Sequence, residues 1–221
     1  MNKHRILFLA ANPDRSSPLE LGEECAAIER ELGLAVHRDD FEFRSKWAVT
    51  VDDMMRHLME LRPTILHFSG HGAGKAAGPS SAGTRDIVPP RAPADAASGI
   101  YLQGDHGGSQ LVTARALMMM IRSAGASTRV VVLNACYTES QGEALRSVVD
   151  CVVGMAGAIR DDAARAFAVA FYRALGHRCS VGNAVDQGVA TLAAKDMPDE
   201  ALPRCRARDG LDPQRVSLDP S

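Results

Sequence analysis

Two histidines and a cysteine stand at the ends of apolar runs that look like buried strands. The segment HFSGHG, residues 67–72, comes directly after RPTIL, and the segment VVVLNACYTES spans residues 130–140. His71 lies between two glycines, which permit a sharp turn that exposes the imidazole. Cys136 ends the most apolar run of the chain. A thiol and an imidazole carried by rigid strands are suited to act as nucleophile and general base.

The elements that must position these residues follow an alternating pattern. Short β-branched apolar runs alternate with longer segments of helical periodicity, which is typical of an α/β fold built on a mostly parallel sheet. The predicted strands are residues 5–12, 41–49, 64–70, 128–136 and 151–157, and the predicted helices are residues 17–33, 50–63, 113–124, 161–176 and 180–195. The pattern of residues 99–104 and 109–112 predicts that these two segments form a small hairpin before the helix at 113–124.

The ends of the two apolar runs fall on one edge of such a sheet. Reactive groups of parallel α/β sheets lie beyond the carboxyl ends of the strands. If the two strands are neighbours, about 4.8 Å apart, His71 and Cys136 can approach each other. The backbone N–H groups of Gly72 and Cys136 can then bind an oxyanion. A helical pattern at 140–149 follows Cys136, and a helix N-terminus favours the thiolate.

Other interpretations of these residues remain open. His67 lies inside its strand and is expected to be a hydrogen-bonded core histidine. A metal held by His67, His71 and Cys136 would lack a fourth ligand, so we predict no metal and no cofactor. The chain also lacks the glycine-rich phosphate-binding motifs, which leaves a nucleotide-binding function without specific support.

Composition narrows the classes of protein that this chain can belong to. The net charge of −2 provides no basic field for nucleic acid, so no nucleic-acid partner is predicted. No apolar run approaches the ~20 residues of a membrane span. Five cysteines without a CxxC pair argue against a disulfide framework and favour a reducing, cytoplasmic environment.

The 221 residues suggest one large domain with a tail. We assign residues 1–195 to the domain and residues 196–221 to a C-terminal tail with too little apolar periodicity for a core element, which packs on the domain or on a partner. Residues 73–98 form a long Gly- and Pro-rich loop. The loop follows His71 closely and contains Lys75, Arg85 and Arg91.

Nearly the whole chain resembles the CHAT domain family, caspase-like cysteine peptidases related to caspases, metacaspases, gingipains and separases. The resemblance includes the runs ILFLAANP, RPTILHFSGHG, VVLNACYTESQGEAL and CVVGMAGAIRDDAARAF, and it extends to LPRCRARDGLDPQRVSL near the C-terminus. It implies a caspase-like three-layer α/β/α sandwich with a mostly parallel central sheet. It also implies a cysteine endopeptidase that cleaves a protein substrate. For such an enzyme the loop at 73–98 is interpreted as a lid, an exosite or, if the enzyme prefers basic residues, a target of self-cleavage.

The resemblance assigns roles to particular residues of this chain. His71 is the general base and acid, Cys136 is the nucleophile, and the Gly72 N–H contributes to the oxyanion hole. Many relatives cleave after a basic residue that an acid binds. Asp161 is the first choice for that acid and Asp162 the second, although acids in the first turn of a helix also stabilise the helix without any other role. Asn134 stands where some relatives carry Asp, and it is expected to support the site or shape the pocket.

The resemblance further implies control by another protein. Short proteases of this family are switched by an activating or adaptor partner, often in bacterial defence or cell-death systems. A non-catalytic caspase-like scaffold or adaptor is the competing function. The presence of both His71 and Cys136 with their glycines favours the peptidase.

Overall fold

Strands and helices alternate along the chain in the computed structural model, which describes residues 3–13, 19–74 and 98–218. The strands are β1 (His4–Ala11), β2 (Phe41–Trp47), β3 (Ile65–Gly70), β4 (Gly72–Ala73), β5 (Gly99–Gln103), β6 (Ser109–Thr113), β7 (Val130–Asn134), β8 (Cys151–Met155) and β9 (Pro203–Ala207). The helices are α1 (Leu21–Leu34), α2 (Val51–Leu61), α3 (Ala114–Ser123), α4 (Gly142–Leu145), α5 (Asp161–Gly176) and α6 (Val181–Ala194).

Six of the described strands form the central sheet in the order β2-β1-β3-β7-β8-β9. The first five strands of this order run parallel, and β9 pairs with β8 in the antiparallel direction. The strands β3 and β7 are hydrogen-bonded neighbours, as the apolar runs before His71 and Cys136 require. The prediction that both residues follow adjacent strands is therefore confirmed for the sheet.

Helices cover both faces of this sheet, and the predicted three-layer α/β/α sandwich is confirmed. Side chains of successive strand residues point to opposite faces, so Phe8 and Leu9 of β1 belong to different buried clusters. The first cluster includes residues of α1, α5 and α6. The second includes residues of α2, α3 and α4. Every residue of β3 and β7 is buried, which explains why β7 is apolar up to its last residue, Asn134, and why β3 can hold its polar residues His67 and Ser69 only as buried groups.

The start of α2 shows how local sequence sets the helix boundaries. Thr50 accepts a hydrogen bond from the Asp53 N–H, and the Asp53 carboxylate accepts one from the Thr50 N–H in return. This reciprocal capping satisfies two backbone donors that a helix start leaves without partners. Thr50, the first residue of the helix predicted at 50–63, is therefore the N-cap of α2.

A small second sheet lies beside the carboxyl end of β3. It consists of β4, β5 and β6 in antiparallel order, and β5 and β6 are the hairpin predicted from the sequence. The Tyr101 N–H donates to the His71 carbonyl at 2.9 Å, which joins this sheet to the residue that follows β3. The predicted loop at 73–98 falls mostly outside the described residues, and its interpretation as a lid, exosite or self-cleavage target remains a prediction.

The C-terminal segment differs from the expectation that it contains no core element. Its residues Pro203–Ala207 are β9, the edge strand of the central sheet, and Val216 and Leu218 are buried in the first cluster. An edge strand alternates between buried and exposed positions, as the pattern of β9 does. Five such residues are too few to stand out from charged surroundings in the sequence. None of the helices in the described ranges has the length and apolarity needed to cross a membrane.

Candidate active site

The candidate catalytic residues follow the last paired residues of β3 and β7. Ser69 of β3 stands opposite Asn134 of β7, and His71 and Cys136 each lie two residues further along their strands. Both residues line one cavity of about 220 Å³ at the carboxyl edge of the sheet. The sheet thus brings together the imidazole and the thiol that the sequence placed at separate strand ends.

The His71 imidazole is held by a side chain that follows the neighbouring strand β1. His71 Nε2 lies 3.0 Å from Asn12 Oδ1. A carboxamide oxygen only accepts hydrogen bonds, so this contact places the proton on Nε2 and the lone pair of the neutral ring on Nδ1. Asn12 therefore sets the tautomer of His71, and the sequence did not indicate this contact.

The Cys136 thiol lies partly buried and faces the loop before α5. Its Sγ donates to the Ile159 carbonyl at 3.7 Å. Burial raises the pKa of the Cys136 thiol, and the negative charge of Asp161 raises it further. The expectation that a following helix favours the thiolate is contradicted, because α4 has only four residues and begins at Gly142. The short helix leaves burial as the dominant influence on the thiol.

A tight turn places the backbone around Cys136. Tyr137 adopts a left-handed conformation with φ of 57°, which is unusual for a residue other than glycine. Its N–H donates to the Gly157 carbonyl at 3.0 Å. The turn therefore depends on the loop that follows β8.

Gly72 packs against the backbone of Cys136. A Cβ atom built on Gly72 would lie 2.2 Å from the Cys136 carbonyl oxygen, so only glycine fits without displacement. Gly72 stands opposite Ile100 in β5, whereas the Tyr101 N–H bonds the His71 carbonyl. Hydrogen-bonded and non-hydrogen-bonded pairs alternate in an antiparallel ladder. The Gly72 N–H is consequently directed away from β5, which is compatible with the predicted oxyanion hole.

The two candidate specificity acids have different positions. Asp161 lines the cavity with His71 and Cys136, and its carboxylate accepts a hydrogen bond from the Glu20 backbone. Burial raises the pKa of the Asp161 carboxyl group, and the charge of Glu20 raises it further. Asp162 instead lines a separate groove on the outer face of α5, 3.7 Å from Arg160. The structure brings Asp161 to the cavity and not Asp162.

Asn134 belongs to a buried hydrogen-bond network centred on Glu24. Asn134 Nδ2 donates to Glu24 Oε1 at 2.7 Å and to the Ala164 carbonyl at 3.2 Å. Two acceptors at Nδ2 determine the orientation of the amide. Asn134 Oδ1 is then buried without a hydrogen-bond partner among the described residues. Glu24 also lines the cavity, and its helical spacing between Leu21 and Ile28 on an apolar face was a signal available in the sequence.

His67 is part of the same network. It is fully buried, with Nε2 3.0 Å from Glu24 Oε1 and Nδ1 3.0 Å from the Tyr172 hydroxyl. These contacts match the hydrogen-bonded core histidine expected from the sequence. In the described part of the chain, no group of three or more His, Cys, Asp or Glu residues is arranged to hold a metal ion.

The C-terminal segment contributes an ion pair beside the cavity. The buried Asp199 accepts from Arg160 Nε at 2.8 Å and from the Arg160 backbone N–H at 3.1 Å. Arg160 lines the cavity and directly precedes α5, so this contact fixes the start of the helix that carries Asp161. No sequence pattern indicated the pairing of Arg160 with Asp199, since Asp199 lies in the segment predicted as a tail.

Comparison with solved structures defines the class of fold. The chain is similar to a secreted C11 cysteine protease from Bacteroides thetaiotaomicron in complex with an irreversible peptide inhibitor, with a TM-score of 0.62 and 14% identity over 88% of this chain and 60% of that protein. A second structure of a secreted C11 cysteine protease from the same organism, called iotapain, gives a TM-score of 0.54 and 12% identity over 86% of this chain and 62% of that protein. The fold is that of the caspase-like cysteine proteases.

The family follows from the sequence comparison. The model of the CHAT domain matches residues 3–205, and the chain belongs to the CHAT domain family. It is 24% identical over 205 residues to a protein named Roc-COR-CHAT protease from an unknown prokaryotic organism. That match covers 90% of this chain and 17% of the relative, so the chain spans about a sixth of the relative's length.

Proposed function

We propose that this chain is a cysteine endopeptidase with His71 and Cys136 as its catalytic dyad. The observation that carries the proposal is the placement of both residues at the ends of neighbouring parallel strands, on the wall of one cavity. Membership of the CHAT domain family and the fold shared with cysteine proteases support it. The substrate class is a protein.

The arrangement supports a stepwise acyl transfer. The lone pair on His71 Nδ1 takes the Cys136 proton, and the thiolate attacks the scissile carbonyl. The backbone N–H groups of Gly72 and Cys136 bind the resulting oxyanion. The imidazolium then protonates the leaving amine, and water activated by His71 hydrolyses the thioester. These steps require the thiol to leave the Ile159 carbonyl and face the imidazole, which is a rearrangement of the present structure.

The acidic wall of the cavity supports cleavage after a basic residue. Asp161 is the acid that we assign to the binding of a Lys or Arg side chain, while Asn134 offers a buried acceptor in Oδ1. The cavity's two arginines are already paired, Arg165 with Glu20 and Arg160 with Asp199. Asp162 lies outside the cavity and is not needed for this role.

Control by another protein or region is part of the proposal. The raised pKa of Cys136 and its contact with Ile159 are features of a resting enzyme. The relative named Roc-COR-CHAT protease joins its CHAT region to further regions in one chain. We infer that an activating or adaptor partner reorganises the site here, in a cytoplasmic bacterial defence or cell-death system.

Covalent labelling tests the function directly. A peptidyl acyloxymethyl ketone with a terminal arginine is added to wild type, Cys136→Ala and His71→Ala, each alone and in lysate that contains native partners. We expect labelling of wild type that is lost in both variants. Loss of arginine-probe labelling with retained labelling by a neutral-residue probe would remove the basic preference and leave the dyad. Labelling of Cys136 no faster than the other cysteines, with partners present, would favour a scaffold.

A further inference from the structure

Glu24 is a carboxylate buried in the wall of the catalytic cavity. It belongs to the first turn of α1 and is only 5% exposed. Its Oε1 lies 3.0 Å from His67 Nε2 and 2.7 Å from Asn134 Nδ2, and its Oε2 accepts from Ser69 Oγ at 2.5 Å. Three donors converge on two oxygens, which is the pattern of a carboxylate that only accepts.

The donors belong to the two strands that carry the dyad. Ser69 and Asn134 face each other as the last paired residues of β3 and β7. Each lies two residues before a member of the dyad, Ser69 before His71 and Asn134 before Cys136. A single carboxylate therefore bridges the two strand ends at the position from which both reactive residues emerge.

The network is also anchored on the side away from the dyad. The Tyr172 hydroxyl lies 3.0 Å from His67 Nδ1, and the Ala164 carbonyl accepts from Asn134 Nδ2 at 3.2 Å. Both residues belong to α5, the helix that begins with Asp161. Helix α1, strands β3 and β7, and helix α5 thus meet at Glu24.

Burying the Glu24 carboxylate costs free energy because the group loses its contact with water, and an apolar side chain would fill the same space without that cost. Apolar residues of similar volume often stabilise a core as well as a buried ion pair does, whereas directed hydrogen bonds give a defined geometry. Glu24 occupies a position on the apolar face of α1, next to Cys25 and one turn before Ile28. Glu24 accepts hydrogen bonds from His67 and Ser69 of β3 and from Asn134 of β7, the two strands that end before His71 and Cys136.

We propose that Glu24 is a positioning residue that holds the strand ends of His71 and Cys136 at their working separation. The proposal rests on the peptidase function proposed above. It acts through Ser69 and Asn134, and Glu24 itself does not react with substrate. A displacement of about 1 Å in a catalytic group lowers the rate by about 100-fold.

The test compares Glu24→Gln with Glu29→Gln, a matched change at an exposed position of the same helix. Glutamine keeps the size of the side chain but replaces one acceptor oxygen by a donor. Two quantities are measured: site-resolved alkylation by iodoacetamide, read by mass spectrometry, and kcat and KM for a fluorogenic arginine peptide. Cys151, which is fully buried in the core, reports global unfolding in the same sample.

We expect Glu24→Gln to lower kcat by about 100-fold with KM nearly unchanged. Cys136 should become about tenfold more reactive to iodoacetamide as its strand end loosens, while Cys151 stays protected. Glu29→Gln should match wild type in every measurement. If Glu24→Gln does not fold, Ser69→Ala removes one donor and should give a smaller change of the same sign in both quantities.

Two results would overturn the positioning role. One is a Glu24→Gln variant with wild-type kcat and wild-type labelling of Cys136. The other is a parallel rise in the labelling of Cys136 and Cys151, which would mean that Glu24 only supports global stability. A failure of the proposed function would give a different result, namely peptide cleavage that survives Cys136→Ala. In that case the labelling of Cys136 in Glu24→Gln still decides whether Glu24 holds the two strand ends in place.

Discussion

Individual side chains around Cys136 determine how reactive its thiol is. Burial raises the pKa of the thiol, and Asp161 adds a negative charge that opposes ionisation. The same Asp161 lines the cavity where we place a basic substrate side chain. A bound cation would neutralise this charge, so the acid that we propose for substrate binding would also make the thiol less reactive when substrate is absent.

The pH dependence of Cys136 alkylation measures this influence. Only the thiolate reacts, so a raised pKa moves the rise of the iodoacetamide rate to higher pH, with about a tenfold increase per pH unit below the pKa. Asp161→Asn removes the negative charge, should lower the pKa of Cys136, and should therefore increase the iodoacetamide rate at pH 8.

The matched control for this experiment is Asp162→Asn, since Asp162 is the adjacent acid and lies outside the cavity. It should leave the pH profile of Cys136 unchanged. Equal profiles for wild type and Asp161→Asn would contradict the placement of the Asp161 charge near the thiol.

The short strand β4 is the element that brings the second sheet to the catalytic edge. It directly follows His71, pairs with β5, and rests against the backbone of Cys136 through Gly72. The hairpin of β5 and β6 holds β4 through its pairing with β5. Gln141 Nε2 joins this hairpin to the segment that follows Cys136 by donating to the Gly99 carbonyl at 2.8 Å. The position of the Gly72 N–H, the proposed oxyanion donor, thus depends on a strand that pairs with residues far along the chain.

Substitution of Gly72 by alanine tests this close approach. The added Cβ would lie 2.2 Å from the Cys136 carbonyl oxygen, and since that neighbour is backbone, β4 or the Cys136 turn must move. We expect kcat/KM of Gly72→Ala to fall about 100-fold in a protein that remains folded. Steady-state kinetics and a thermal melt provide the two measurements.

The control for Gly72→Ala is Gly33→Ala, a substitution of the same chemistry in α1, where a Cβ meets nothing within 4 Å. Gly33 lies in the last turn of α1, so Gly33→Ala should stabilise the protein by at most about 0.5–1 kcal/mol and leave kcat/KM unchanged. Normal activity in Gly72→Ala would show that the approach of β4 to Cys136 does not matter for catalysis.

At the scale of the whole molecule, the C-terminal segment contributes to the central sheet, to the core and to the cavity. Strand β9 covers the edge of β8, Val216 and Leu218 enter the core, and Asp199 holds Arg160 at the cavity. The segment that looks like a tail in the sequence therefore completes both the sheet and one wall of the site. A domain boundary after residue 195 would expose the β8 edge, which is a site for non-native strand pairing.

Truncation after residue 195 tests the contribution of this segment. Val216 and Leu218 alone account for about 1.5–3 kcal/mol each when buried, against a total stability of about 5–15 kcal/mol for a typical domain. We expect the truncated chain to lose its cooperative thermal transition or to aggregate. A chain that ends at residue 218 serves as the control and should melt as wild type does. A cooperative transition in the shorter chain would establish 1–195 as an independent domain.

Features that depend on neighbouring residues in the chain were readable from the sequence. The apolar runs that form β3 and β7 follow from local periodicity, and both appear in the structure. The glycines around His71 were predicted to allow a sharp turn, but neither has a positive φ. Each instead packs against the backbone of a distant segment, Gly70 against Ala11 and Gly72 against Cys136. The alternation of strands and helices was enough to predict an α/β fold on a mostly parallel sheet, and the resemblance to the CHAT domain family implied its three layers. The CHAT resemblance, carried by the same runs, was confirmed by the family match.

The contacts that surround the dyad come from distant parts of the chain. Glu24 meets His67, Ser69 and Asn134 across separations of 43, 45 and 110 residues, and Arg160 meets Asp199 across 39. Periodicity along one helix or strand carries no information on which distant element it will face. Strand order and register bring these groups together, and they also bury Cys136, which is why a thiol expected to ionise readily has a raised pKa instead.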